Sequence, residues 1–231
     1  MSNIVKNTAF PKLLDLIAPH SCRGCGAIGS PICSRCKKYI TKNHVHTCPH
    51  CKSVIAESSR PTPCKNCRDL PPIYAVGERT GLLDVIIRDF KYQSVHALAR
   101  PLAELLDDIL PSDIKNAVIV PLPTATHHIR ARGLDHTLLI ARHLAHLRHC
   151  QVSPLLSRTK NTVQVGKDIA TRKVQAASAY SLRPKLSVSP AMTYIILDDV
   201  WTTGASTEAA IKILRSAGAE NLIVALLAYS V

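Results

Sequence analysis

Short apolar runs alternate with amphipathic helical patterns along the last two thirds of the chain. Apolar runs of four to seven residues predict strands over residues 73–77, 117–120, 151–156, 193–197 and 222–228. Apolar positions three to four apart predict helices over residues 82–90, 95–109, 134–147 and 206–217. This alternation is typical of a mostly parallel sheet flanked by helices. The pattern therefore predicts an α/β domain over residues 73–231.

Proline and glycine refine the helix ends. Pro101 predicts a break in the second helical pattern, because proline has no backbone N–H and clashes with the preceding turn. Gly218 follows the last helical pattern and is expected to end that helix as its C′ residue. In open α/β sheets, ligands bind at the carboxyl ends of the strands. The residues just after each strand are therefore the first candidates for a site.

The first 72 residues lack this alternation. Residues 1–21 predict one helical segment, whose apolar run over residues 13–18 contains Asp15 and is flanked by Pro11 and Pro19. Such a run is too short for a membrane span or a secretion signal. We therefore expect a cytoplasmic protein with no membrane insertion.

Eight of the nine cysteines form four Cys-x-x-Cys pairs, with connectors of 7, 11 and 12 residues. The pairs are Cys22 and Cys25, Cys33 and Cys36, Cys48 and Cys51, and Cys64 and Cys67. Cytosolic thiols are kept reduced, which favours metal ligation over disulfides. Four thiolates complete a tetrahedral zinc site that has no open position. The pairs therefore predict two structural Zn²⁺ ions in a module over residues 22–72.

The short connectors favour sequential quartets, with a cross-braced pairing as the alternative. Residues 22–72 contain few large apolar side chains, so metal binding is expected to drive their folding, with a core separate from the α/β domain. His44, His46 and His50 are expected to be surface groups or neighbours of the ligands. Cys150 is expected to be a buried or inert thiol.

The net charge of +13 is concentrated at the N-terminus, with +8 over residues 1–74 and +5 over the remaining 157. A basic surface of this kind favours a polyanionic partner, nucleic acid first, although dispersed surface charge is the alternative. Single-stranded nucleic acid, bound without sequence preference, is the expected ligand. The candidate contact residues are Arg35, Lys37, Lys38, Lys42, Lys52 and Lys65.

Residues 194–207 join a buried strand to two carboxylates and a hydroxyl-rich turn that enters a helix. The turn residues are Thr202, Thr203, Gly204, Ala205 and Ser206. Their N–H and hydroxyl donors, together with the positive end of the helix dipole, are suited to a phosphate. Asp198 and Asp199 can accept hydrogen bonds from sugar hydroxyls or hold a hydrated Mg²⁺. The combination predicts a site for a ribose 5-phosphate.

The same segment resembles the phosphoribosyl pyrophosphate (PRPP) motif of type I phosphoribosyltransferases. Three further segments resemble the ComF family, which joins a double zinc ribbon to such a domain. They are Phe90-Lys91-Tyr92, then Val120-Pro121-Leu122-Pro123 leading to Arg130-Ala131-Arg132-Gly133, and Arg158 to Thr162 with Gln164 and Arg172. The chain departs from the family at Leu134, Asp135 and His136, which replace Phe-Asn-Gln. Any ligand role for those three positions is in doubt.

The resemblance implies an α/β fold of the type I phosphoribosyltransferase kind, with a small N-terminal double zinc-ribbon module. It also implies that PRPP and Mg²⁺ bind at Asp198, Asp199 and the turn, with Lys91, Arg130 and Arg132 nearby. A flexible hood in such enzymes closes over PRPP. In this chain the hood would carry Arg158, Lys160 and Lys167, with a plain exposed loop as the alternative.

The family resemblance implies a role in DNA uptake during natural transformation, with PRPP, single-stranded DNA and a DNA-uptake or helicase protein as partners. Two alternatives stay open. One is a metabolic phosphoribosyltransferase, perhaps forming an amide, and the other is a regulator that senses PRPP. Transfer needs an acceptor pocket and a general base or an enforced geometry. The sequence names no acceptor, so it predicts binding of PRPP but leaves enzymatic activity open.

Overall fold

The computed structural model describes residues 19–42, 46–56, 64–93, 95–126, 129–130, 133–159 and 180–230. Most of the predicted N-terminal helical segment lies outside these residues. The described strands are β1 (His46–Thr47), β2 (Val54–Ala56), β3 (Ile73–Glu78), β4 (Ala117–Pro121), β5 (Gln151–Val152), β6 (Leu156–Arg158), β7 (Tyr180–Leu182), β8 (Thr193–Trp201) and β9 (Asn221–Tyr229).

The described helices are α1 (Ser34–Lys42), α2 (Gly81–Tyr92), α3 (Ala99–Ile109), α4 (His136–Leu147) and α5 (Ala205–Ser216). A single 3₁₀ turn, His96–Leu98, precedes α3. Within the described ranges, none of these helices has the length and apolar content that crossing a membrane requires.

A five-stranded parallel sheet forms the centre of the molecule, in the order β3-β9-β8-β4-β5. Helices α2, α3 and α4 pack on one face of this sheet, where Ile195 and Leu197 of β8 are buried. Helix α5 and the antiparallel pair β6-β7 cover the other face, where Tyr194 and Ile196 are buried. Because side chains alternate along a strand, β8 supplies both halves of the core. The α/β architecture is therefore confirmed.

Two predicted strands differ from the observed ones. The single strand predicted over residues 151–156 is wrong, because β5 ends before Pro154 and β6 pairs with β7 instead. Proline cannot donate to a strand ladder, so it separates the two pieces. Strand β8 continues past residue 197 as far as Trp201, where it pairs with Tyr229. The two aspartates therefore lie inside the end of the strand rather than after it.

The predicted break at Pro101 is also wrong. Helix α3 begins at Ala99, so Pro101 lies in its first turn, where a backbone N–H would have no acceptor within the helix. The prediction for Gly218 is confirmed, because this residue has a φ of 98° just after α5. The Ala219 N–H donates to the Leu214 carbonyl at 2.9 Å, which closes a Schellman motif.

The first cysteine pairs share the core of the α/β domain. Cys22 is 3% exposed and belongs with Ile32 and Ile40 to the same apolar cluster as Val76 of β3 and Leu83 of α2. The expectation of a separate core is therefore wrong for this part of the module. Apolar residues of α2 thus bury the first cysteine pairs, which have few large apolar side chains around them in sequence.

Ion pairs reinforce this contact at its edge. Arg23 lies 3.3 Å from the Asp89 carboxylate of α2, and Lys37 pairs with Glu104 of α3. Both carboxylates belong to helices that pack against the sheet. The first cysteine pairs and helices α2 and α3 therefore form one packed unit.

Candidate functional site

The cysteines gather into two quartets, and within each quartet all four sulfur atoms lie within 4.8 Å of one another. The first quartet is Cys22, Cys25, Cys33 and Cys36, and the second is Cys48, Cys51, Cys64 and Cys67. This is the sequential pairing, and it excludes the cross-braced alternative. Four convergent thiols at this separation suit a tetrahedral Zn²⁺ site.

Hydrogen bonds favour the thiolate form of two ligands. Burial raises the pKa of Cys22, but backbone N–H groups, including that of Cys33, outweigh burial and lower the pKa to about 6. Hydrogen bonds from Ser53 lower the pKa of Cys51 to about 6. Because metals bind the thiolate, each quartet thus contains one cysteine whose surroundings favour the metal-binding form.

The remaining histidine and cysteine candidates are His44, His46, His50 and Cys150. His50 is not a member of either quartet, and its Nδ1 lies 3.5 Å from the Cys67 sulfur. His44 lies outside the described residues, as does the side chain of His46. Cys150 is partly buried against the main core, and burial raises the pKa of its thiol. His50 and Cys150 are thus where the sequence predicted them.

The paired carboxylates stand at the carboxyl end of β8. The Asp199 N–H donates to Asp198 Oδ1 at 2.8 Å. From the end of α2, the Lys91 Nζ approaches Asp199 Oδ2 to 2.6 Å, with little of the lysine side chain exposed. The structure therefore brings Lys91 to the carboxylates, although the two segments are about a hundred residues apart in sequence.

Crowding of negative charge affects one of these acids. Burial and the neighbouring Asp199 carboxylate raise the pKa of Asp198 to about 7, against the lowering effect of the Asp199 N–H, Lys91 and Arg158. A carboxyl group with this pKa exchanges its proton near neutrality. A cation or a hydroxyl donor at this position would favour the ionised form.

The turn after β8 depends on glycine at position 204. Gly204 has a φ of 77°, and an added Cβ would lie 2.2 Å from the Trp201 ring. Only glycine meets both conditions without displacing the indole. Helix α5 begins at the next residue, Ala205, whose N–H lies 3.5 Å from Thr203 Oγ1. The turn and Asp198 line a small cavity of about 50 Å³. The N-terminus of α5 points into this cavity, so its positive end would face any anion bound there.

The arginine candidates are only partly described. Arg130 is exposed in the segment that follows β4, the strand next to β8. Arg158 ends β6, and its guanidinium lies 5.7 Å from the centre of the Tyr180 ring. The other candidates in these segments lie outside the described residues: Arg132, Lys160, Thr162, Gln164, Lys167 and Arg172.

Two of the three residues that depart from the ComF pattern have structural roles. Asp135 caps α4, because its Oδ1 accepts the Leu138 N–H at 3.2 Å. The same oxygen accepts the Thr124 hydroxyl at 3.0 Å, which ties the loop after β4 to the helix. His136 is buried edge-on against Phe90, with ring centres 4.7 Å apart.

The basic residues of the cysteine module divide into two groups. Lys37 pairs with Glu104, and the Lys52 Nζ donates to the Ser230 carbonyl at 2.5 Å, so both face the α/β domain. Arg35, Lys38 and Lys65 are exposed. The side chain of Lys42 lies outside the described residues. Lys52 is exposed as well, so it is the bond to Ser230 that distinguishes it from Lys38 and Lys65, which are available to a polyanion.

Two residues beside the turn were missed from the sequence. Tyr180 of β7 is buried, and its hydroxyl has a hydrogen bond with the Ser206 side chain. Trp201 lies against Gly204 and occupies a position that the PRPP motif leaves open. As the single tryptophan of the chain, directly before the turn, Trp201 offered a signal, whereas Tyr180 comes from a distant strand and offered none.

The chain is 29% identical over 206 residues to Competence protein F of Haemophilus influenzae, covering 84% of this chain and 88% of that protein. No protein-family model matches the chain.

Two solved structures are also similar. The allosteric regulatory enzyme of purine biosynthesis has a TM-score of 0.41 and 16% identity over 61% of this chain. Glutamine PRPP amidotransferase of B. subtilis has a TM-score of 0.41 and 17% identity over 60% of this chain. The chain spans 30% of the length of each enzyme. The chain is thus similar to a competence protein over most of both lengths, and it has two cysteine quartets and a parallel sheet flanked by helices.

Proposed function

We propose that this chain binds PRPP with Mg²⁺ at the end of β8, holds two structural Zn²⁺ ions, and binds single-stranded DNA during DNA uptake in the cytoplasm. One observation carries the PRPP part. Asp198 and Asp199 stand directly before a turn that Gly204 closes against Trp201 and that opens helix α5. Acceptors for sugar hydroxyls and donors for a phosphate are thus adjacent in one continuous segment.

The 5-phosphate, the ribose hydroxyls and the pyrophosphate of PRPP would each bind a different group of residues. The turn receives the 5-phosphate, because backbone N–H groups and the helix dipole favour an anion there. Asp198 and Asp199 accept the ribose hydroxyls, directly or through Mg²⁺, which prefers carboxylate and water oxygens. Arg130 and Arg132 are assigned to the pyrophosphate, since guanidinium groups bind phosphate oxygens in pairs.

The hood is proposed to close over this ligand from β6 and β7. These two strands frame the segment that contains Lys160 and Lys167, and they bring Arg158 and Tyr180 toward the aspartates. A basic group at this place complements the charge of PRPP. Transfer of the phosphoribosyl group would in addition need an acceptor nucleophile held beside the bound PRPP.

We expect the double variant Asp198→Ala, Asp199→Ala to bind PRPP·Mg²⁺ at least tenfold more weakly, a loss of about 1.4 kcal/mol or more. The reason is that both acceptors for the ribose hydroxyls are removed. Isothermal titration calorimetry measures the affinity, with Asp113→Ala as control because Asp113 is an exposed carboxylate of the same domain. Equal affinity in the double variant and the wild type would refute the site.

The DNA part of the proposal rests on the outer face of α1. Arg35, Lys38 and Tyr39 are exposed there, with Tyr39 63% exposed, while Cys36 and Ile40 are buried on the inner face. Phosphate contacts by cations and stacking of bases on an aromatic ring are how proteins bind single strands without sequence preference. A competence protein among the relatives supports a role in DNA uptake. A DNA-uptake or helicase protein stays a proposed partner.

We expect the double variant Lys38→Glu, Lys65→Glu to lower affinity for a labelled single strand about threefold or more, because two phosphate contacts are lost. The slope of log affinity against log salt should fall by about 0.7 for each contact. Fluorescence anisotropy over a salt series measures both quantities in the full chain. Lys115→Glu is the matched control, since Lys115 is exposed in the α/β domain. An unchanged affinity and slope would place the DNA surface elsewhere.

A further inference from the structure

The second cysteine quartet is attached to the same end of the sheet as the turn. The Thr47 N–H donates to the Tyr229 hydroxyl at 3.3 Å, next to the quartet and at the end of β9. Lys52 reaches the carbonyl of Ser230, one residue further along. Strand β9 lies beside β8, and Tyr229 pairs with Trp201. The quartet and the turn are therefore neighbours across the end of two strands.

His50 connects the quartet to the turn directly. Its Nδ1 lies 3.5 Å from the Cys67 sulfur, and its ring meets Trp201 edge to face with centres 6.4 Å apart. Its Nε2 lies 3.7 Å from Glu208 Oε1, in the first turn of α5. The His50 side chain thus lies beside Cys67 of the quartet, the Trp201 indole and the first turn of α5.

Trp201 in turn packs against Gly204 of the turn. Its side chain is 2% exposed and occupies the space that a Cβ at position 204 would need. Its carbonyl accepts the Ser230 N–H at 2.8 Å, which fixes its backbone to the end of β9. The position of the indole therefore determines the space available to Gly204 and the turn.

We propose that the second quartet is a support for the phosphate-binding turn, with His50 as the positioning residue, so that metal in this quartet strengthens binding of PRPP. The inference rests on the proposed function for the identity of the ligand. A preformed turn loses less conformational freedom on binding, and affinity rises accordingly. A four-thiolate site has no open position, so the ion supplies rigidity to Cys67 and His50 rather than chemistry.

The first quartet offers a matched comparison, because it packs elsewhere. A Cβ added at Gly24, between Cys22 and Cys25, would meet Leu82 of α2, and Cys36 belongs to the core beneath α2 and α3. No described contact leads from this quartet to Trp201. The two quartets should therefore differ in their effect on the turn, although they have the same ligands.

The sole tryptophan makes the test direct in the full chain. We expect His50→Ala to shift the Trp201 fluorescence emission and to weaken PRPP·Mg²⁺ binding about fivefold, with both metal ions retained. His146→Ala is the control, since His146 is an exposed histidine of α4. Metal content by mass spectrometry, emission spectra and calorimetry are the three readouts.

A second pair of variants tests the metal itself. We expect Cys51→Ser to change the emission and the affinity as His50→Ala does, and Cys25→Ser to leave both within twofold of wild type. Both cysteines are exposed ligands, one from each quartet, and both variants are compared at a temperature at which circular dichroism shows them folded.

The outcomes separate the inference from the proposed function. Wild-type emission and wild-type PRPP affinity in His50→Ala would overturn the support by the second quartet. Equal losses of affinity in Cys25→Ser and Cys51→Ser would overturn it as well. If the wild-type chain does not bind PRPP, the proposed function fails, and an unchanged emission in His50→Ala and Cys51→Ser then overturns the support by itself.

Discussion

Replacing Cys22 with serine should destabilise the whole α/β domain, and not the cysteine module alone. Cys22 is both a ligand of the first quartet and a buried member of the core that contains α2, α3 and α4. The substitution removes a metal site and places a hydroxyl among apolar side chains. We expect the free energy of unfolding to fall by about 3 kcal/mol or more, since either loss alone costs on that order.

Thermal unfolding and hydrogen exchange test this expectation. The metal content should fall from two ions to one, the unfolding temperature should drop, and amide protection should decrease in α2. Cys51→Ser is the control, because it removes an exposed ligand of the other quartet and should leave exchange in α2 unchanged. A Cys22→Ser variant whose α/β domain unfolds at the wild-type temperature would show that the two regions fold independently.

The central sheet could be predicted because its signal is local. Buried strands such as β8 and β9 are continuous apolar runs, and helices such as α5 carry their spacing and their Gly218 end signal in one stretch. The division between β5 and β6 could not be read with equal ease. Pro154 marks it, but the run is apolar on both sides, and only the partner of β6 shows that it leaves the central sheet.

Contacts between segments that are far apart in the chain could not be predicted from the sequence. Nothing near Cys22 indicates that it packs on Leu83, because the apolar surface that receives it belongs to α2. The aspartates and the turn were predicted, since all of them lie within one continuous segment. Lys91 came only from the family resemblance, and Tyr180 and His50 reach the turn through tertiary packing that no periodicity encodes.

The Asp198→Asn variant should be more stable than the wild type at about pH 8, by about 4 kcal/mol. Folding raises the pKa of Asp198 from 3.8 to about 7, through burial and the Asp199 carboxylate. An acid with a raised pKa binds more protons folded than unfolded, so the free energy of unfolding falls as pH rises from about 4 to about 7. Asparagine does not titrate, and its Oδ1 can still accept the Asp199 N–H.

The pH dependence gives this prediction its sign. At about pH 3 Asp198 is protonated in both the folded and the unfolded chain, so the two proteins should be nearly equally stable, and the advantage of the variant should grow between about pH 4 and pH 7 and stay constant above that. Urea unfolding at each pH measures the difference, with Asp113→Asn expected to stay within about 0.5 kcal/mol of wild type throughout. PRPP binding should change in the opposite sense, because the ionised carboxylate that destabilises the free protein is the acceptor that the ligand needs. A stability difference that does not grow with pH would mean that Asp198 is ionised at little cost, with Lys91 compensating its charge fully.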